Sequence, residues 1–232
     1  MRILLIGLMT FVLIGCSSLD TPPTLPPPDP QRPQVSLLQI GQGAFDGQTV
    51  TVQAPLIQRA NGRVFVPALA LGNAPQPLVA DPLEVVTVGG DALEGLNQAS
   101  NGETYGVVRI TGIVQLQADG VRQIQPSSSK IIEPFALTLP DLQKNNAVYQ
   151  QQILKLKGTL IVKSDEALLV EAVNEGGIPT ETAVQLKIAQ PFSDTALIET
   201  LPKQNGAIRY GEIELVGELQ GKTLRVFWAT KP

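Results

Sequence analysis

Apolar and polar residues alternate along most of this chain. Val50, Val52, Ala54 and Leu56 take every second position, and so do Val184, Leu186 and Ile188. A period of two belongs to a strand with one buried face. The pattern predicts a strand through Val50–Leu56, then strands at Arg63–Ala70, Leu83–Val88, Tyr105–Gln115 and Val121–Gln125. A second set follows at Ile153–Lys163, Ala167–Val173, Ala183–Ile188, Ile208–Gln220 and Thr223–Thr230. Between the third and fourth strands of each set the period changes. Asp91-Ala92-Leu93-Glu94 has the form of a capping box and predicts a short helix with Leu93 and Leu96 on one side. Asp194 caps its counterpart, which carries Leu197, Ile198 and Leu201. Asn101-Gly102 and Asn205-Gly206 stop the two helices, since both residue types tolerate the left-handed conformation. Ala118-Asp119-Gly120 and Gln220-Gly221-Lys222 read as hairpin turns.

The two sets are copies of one pattern. Val50 to Ile57 and Leu154 to Ile161 match at every apolar position at a shift of 104. Tyr105-Gly106, Ile110, Gly112 and Gln115 recur as Tyr210-Gly211, Leu215, Gly217 and Gln220 at a shift of 105. One small insertion explains the drift, and recurrence in register at this length is the mark of a duplication. Three strands, a short helix and two strands, given twice, resemble the OB-fold, a five-stranded Greek-key barrel. The glycines at 112 and 217 fall in the fourth strands, where a small barrel must bend sharply. The expected fold is therefore all-β with short helices: two tandem OB-like barrels, at 36–126 and 148–232, joined by a connection at 127–147. The first copy carries an enlarged Pro- and Gly-rich loop at Leu71–Pro82.

The N-terminus follows a different rule. Met1-Arg2 precedes an unbroken apolar run, Ile3 to Ile14. A basic start and a short greasy run read as a secretory signal, too short for a bilayer-spanning helix of about 20 residues. Leu13-Ile14-Gly15-Cys16 closes it and resembles the lipobox of bacterial lipoproteins. The resemblance implies a signal peptide at 1–15, cut before Cys16, and acyl chains on that cysteine. Residues 16–35 then form a tether, with Pro22, Pro23, Pro26, Pro27, Pro28, Pro30 and Pro33 favouring polyproline II. Ser17, where the family often has Asp for inner-membrane retention, implies the outer membrane in a Gram-negative cell.

Composition then removes most catalytic chemistry. The chain has no histidine and Cys16 is its one cysteine. Imidazole catalysis, imidazole metal sites and, once Cys16 is acylated, thiolate chemistry are excluded. No metal or cofactor is expected. Ser127-Ser128-Ser129-Lys130 has the Ser-x-x-Lys spacing of penicillin-binding enzymes, but Pro126 and the serines read as a solvated loop, and the companion motifs are missing. Gly89-Gly90 before Asp91 reads as a tight turn, because the carboxylate repels a phosphate. The net charge of −4 and 4% aromatic content disfavour nucleic acid, which needs cationic and stacking groups.

Three rings are the remaining candidates for ligand contact: Tyr105, Tyr210 and Trp228. The tyrosines recur with a following glycine, a placement that serves packing or an exposed stacking face. Phe227-Trp228 puts one ring on each side of the last strand, one in the core and one exposed or covered by the other barrel. The expected function is a non-catalytic, membrane-anchored envelope module that binds another envelope protein or a glycan. Extracytoplasmic single-strand nucleic-acid binding and carboxylate-based hydrolysis are the alternatives.

Overall fold

The computed structural model describes residues 35–164, 166–189, 194–204 and 208–232. The signal and tether expectations, with Cys16, lie outside these residues, as does Asn205-Gly206.

The first unit opens with a short helix, α1 (Leu37–Gly41), then strands β1 (Thr49–Arg59) and β2 (Gly62–Phe65). A side hairpin, β3 (Ala68–Leu71) and β4 (Pro75–Leu78), precedes β5 (Val86–Val88). Then come β6 (Asn97–Gln98), β7 (Thr104–Leu116) and β8 (Arg122–Ile132). Strands pair in the order β1-β2-β5-β8-β7, and β7 returns to β1 to close a five-stranded barrel. Only the β5–β8 pairing in that ring is parallel.

A bridging strand, β9 (Phe135–Leu137), and helix α2 (Leu139–Lys144) lead to the second unit. Its strands are β10 (Ile153–Lys163), β11 (Glu166–Val170), a small hairpin of β12 (Val173–Asn174) and β13 (Ile178–Pro179), and β14 (Gln185–Ile188). Helix α3 (Thr195–Glu199), β15 (Lys203–Gln204), β16 (Ile208–Gln220) and β17 (Thr223–Thr230) complete it. The ring β10-β11-β14-β17-β16 repeats the first in order and in its single parallel pair, β14–β17. The molecule is mostly β, with two tandem OB-like barrels.

Each barrel is filled by the rows that the alternation marks. Val50, Val52, Ala54 and Leu56 line one core, Leu154, Leu156 and Leu160 the other. The bends at Gly112 and Gly217 are β-bulges. The register of β7 on β8 slips between Thr111 and Gly112, and that of β16 on β17 between Val216 and Gly217. A Cβ on Gly112 would lie 2.3 Å from the Gln125 carbonyl oxygen, and one on Gly217 2.4 Å from that of Arg225. Only glycine allows the two backbones so close.

Four expectations change. The helix at Asp91 is absent, and 91–96 is irregular. The Gln58 side chain accepts from the Leu93 amide at 2.7 Å and donates to its carbonyl at 3.1 Å. Those bonds compete with a helix too short to nucleate alone. Leu93 and Leu96 still pack on the barrel core. The predicted strand Arg63–Ala70 breaks into β2 and β3 around Pro67, which cannot donate to a ladder. The serines of 127–129 are not loop: β8 runs on to Ile132, passing Pro126 at its bulge. Finally, each barrel has an N-terminal helix that periodicity alone misses. Ser36 caps α1 in a capping box with Gln39, and Thr138 caps α2. Leu37 and Ile40 enter the first core, Leu139 and Leu142 the second.

Candidate functional site

The site lies where the barrels meet. β1 is buried on both faces: its second row, Thr51, Gln53 and Ile57, is at most 9% exposed. Ile57, Val66, Leu69 and Val107 of the first barrel form one cluster with Ile153, Val216, Phe227 and Trp228 of the second. The enlarged loop of the first barrel contributes through β3, which lies against β17.

Phe227 and Trp228 both belong to this seam, at 0% and 7% exposure. The expectation of one ring per side therefore fails, and the bulge is the reason. Val226 pairs with Gly217 and Trp228 with Val216, leaving Phe227 as the extra residue. A bulge breaks the alternation and re-aims the side chains around it. Trp228 meets the edge of Tyr105 from the other barrel, with ring centres 5.6 Å apart and planes at 88°. That is the favoured T-shaped geometry. Burial raises the Tyr105 phenol pKa, so the hydroxyl stays neutral.

One end of the seam is polar. Arg109 donates to Gln53 Oε1 from Nε at 3.0 Å and from Nη2 at 2.7 Å. The Thr51 and Thr111 hydroxyls share a 2.9 Å hydrogen bond. Glu218, 4% exposed, accepts from Gln220 at 3.0 Å and lies 3.8 Å from Arg225. Burial pushes its pKa up, although Gln220, Arg225 and Arg109 all pull the other way. The Arg225 guanidinium sits 5.5 Å over the Phe227 ring. Sequence reading missed this cluster because isolated polar residues on a strand's second face read as solvated.

The other end opens into a cleft of about 250 Å³. Gly72 and Pro75 of the β3–β4 hairpin form one wall, Gln98 and Ser100 another, with Tyr105 and Thr230 between. The walls are tied together. Arg59 pairs with Glu103 at 3.0 Å and donates to the Pro75 carbonyl at 3.3 Å, and Ser100 Oγ donates to the Asn73 carbonyl at 3.4 Å. Among the described residues, no charged side chain lines the cleft.

The duplicated position in the second barrel carries a hairpin of its own, and Tyr210 is half-buried there as Tyr105 is in the first. There the β12–β13 hairpin lies on Tyr210: a Cβ on Gly177 would come within 2.6 Å of the ring. Of the three candidate rings, the structure thus joins Tyr105 with Trp228 and places Tyr210 apart under its own loop.

The remaining motifs are occupied structurally. Ser127 is the bulged residue of β8, and its hydroxyl donates to the Thr111 carbonyl. Gly90 turns the chain at positive φ beside Arg63, which is 5% exposed with Nη2 unpartnered. Desolvation lowers the pKa of that guanidinium and Asp91 partly restores it. Among the described residues no three His, Cys, Asp or Glu side chains gather as a metal site, and no helix is long and apolar enough to cross a membrane.

No family model matches this chain, and no curated protein is similar to it.

Proposed function

We propose that the protein is a non-catalytic, lipid-anchored envelope module in which two OB-like barrels act as one binding body. Cys16 carries the acyl chains, and the Pro-rich segment holds the barrels off the bilayer, at the outer membrane in a Gram-negative cell. The partner is another envelope protein or a glycan. One observation carries the reading: a seam of buried rings joins the barrels beside a cleft that the first barrel and Thr230 of the second line. A rigid concave junction between domains is a common place for a ligand. The anchor rests on Leu13-Ile14-Gly15-Cys16 and the run before it.

The test of the anchor is metabolic labelling with an alkyne fatty acid, followed by fractionation. The full chain incorporates label and sediments with membranes; Cys16→Ala does neither. Label on the Cys16→Ala chain would refute the anchor.

A further inference from the structure

The cleft beside Tyr105 lies at a position that the duplication repeats at Tyr210. Both barrels place a tyrosine at the start of the fourth long strand, followed by glycine. In the second barrel a short hairpin touches the ring through Gly177 and leaves it half-buried. In the first, the hairpin is longer, leans on β17 and leaves the ring half-buried at an open wall.

The lining defines the ligand. Tyr105 and Pro75 offer flat apolar surface, and Gln98, Ser100 and Thr230 offer neutral donors and acceptors. None of these groups compensates an ionic charge, so a buried phosphate or carboxylate would be left unpaired at high cost. Arg59 and Glu103, which tie the walls, pair with each other at 3.0 Å, with Arg59 Nε and Glu103 Oε2 left without a hydrogen-bond partner. A cleft of about 250 Å³ is smaller than the roughly 300–1,000 Å³ of drug-sized sites, so it takes one ring rather than an extended chain. A pyranose has the required surface: one C–H face for an aromatic ring and hydroxyls around its rim.

We propose that this cleft is a subsite for a single uncharged sugar ring, stacked on Tyr105 and held at its rim by Gln98, Ser100 and Thr230. The inference rests on the binding-module reading and narrows its ligand. Trp228 is the chain's one tryptophan and touches Tyr105, so it reports occupancy directly.

The experiment titrates the full-length protein, in a sugar-free detergent, with N-acetylglucosamine and with glucose while following tryptophan fluorescence. The expected result is a saturable change for at least one of them. Gly72→Leu adds an apolar side chain at the cleft's lining; a Cβ there meets nothing within 4 Å. This variant weakens binding by about tenfold or more. Tyr210→Phe, at the matching ring of the second barrel, which does not line the cleft, leaves binding unchanged. Glucuronate, which adds a carboxylate, binds at least about tenfold more weakly than glucose. Should Gly72→Leu lower the melting temperature, Gln98→Ala carries the same test. The proposal is overturned by an absence of saturable signal up to about 100 mM sugar, by binding that ignores both cleft variants, or by glucuronate binding as well as glucose. A chain that fails these tests yet forms a stable complex with an envelope protein overturns the sugar subsite and leaves the binding-module reading standing.

Discussion

Glu218 sits in the seam at a cost. It is 4% exposed, and burial outweighs Gln220, Arg225 and Arg109 in setting its pKa above the ordinary carboxylate value. The folded state therefore holds its proton more tightly than the unfolded state does. The stability this group contributes is complete below the ordinary carboxylate range and is lost as pH rises through the raised folded value. At neutral pH Glu218→Gln removes that penalty. Thermal melts across a pH series are expected to show the variant gaining most on the wild type near neutrality, with the gap narrowing on acidification. A gap that widens as pH falls would mean that pairing with the arginines, not burial, governs the residue. Trp228 works in the opposite sense, as a large apolar ring with little exposure. Truncation of such a ring to Ala costs about 3–5 kcal/mol, so Trp228→Ala is expected to lower the melting temperature sharply.

At the scale of elements, the bulges in β8 and β17 decide most of the architecture. They bend both barrels at the same place, and in β17 the extra residue brings Phe227 and Trp228 together into the seam. Gly112→Ala and Gly217→Ala force a Cβ against a carbonyl oxygen at 2.3 and 2.4 Å. Each is expected to cost about 1–3 kcal/mol, as overpacked sites do, measured as a lower denaturation midpoint. The strand rows were legible in the sequence because a buried face imposes a period of two over many residues. The glycines at 112 and 217 were legible because duplication printed them twice. The bulge's consequence for Trp228 was not, since one inserted residue inverts the alternation without leaving a compositional trace. The helix at Asp91 was misread because a tertiary bond from Gln58, 35 residues away, competes with the local capping pattern. α1 and α2 are too short for periodicity, but Ser36 and Gln39 were a readable capping box.

At the scale of the molecule, the seam uses faces that the duplication made available and then blunts their copies. Val107 and Arg109 line the seam on β7; the matching residues on β16 are Glu212 and Glu214. Glu214 is tied to Lys155 at 2.9 Å and Lys157 at 3.6 Å across that face. Opposite Thr111, where the second barrel has Trp228 opposite Val216, the first has Ser128. A third barrel, or a second copy, therefore finds charge and hydroxyls where the seam has rings, as at the polar ends of repeat arrays. Light scattering on the purified chain is expected to give one copy per particle; a concentration-dependent ladder would contradict this. The seam and the cleft were the least legible parts of the sequence. Thr51, Gln53 and Glu218 are polar and read as solvated, and the cleft is made by loops whose packing leaves no period.

The central claim is that the seam of buried rings locks the barrels as one body and sets Thr230 of the second against the cleft of the first. Equilibrium denaturation followed in parallel by tryptophan fluorescence and far-UV circular dichroism tests it most directly. Trp228 reports the seam and the dichroism reports the strands. The account predicts superimposed transitions. A fluorescence change completed well before the strands melt would show that the barrels part while still folded, and would contradict it.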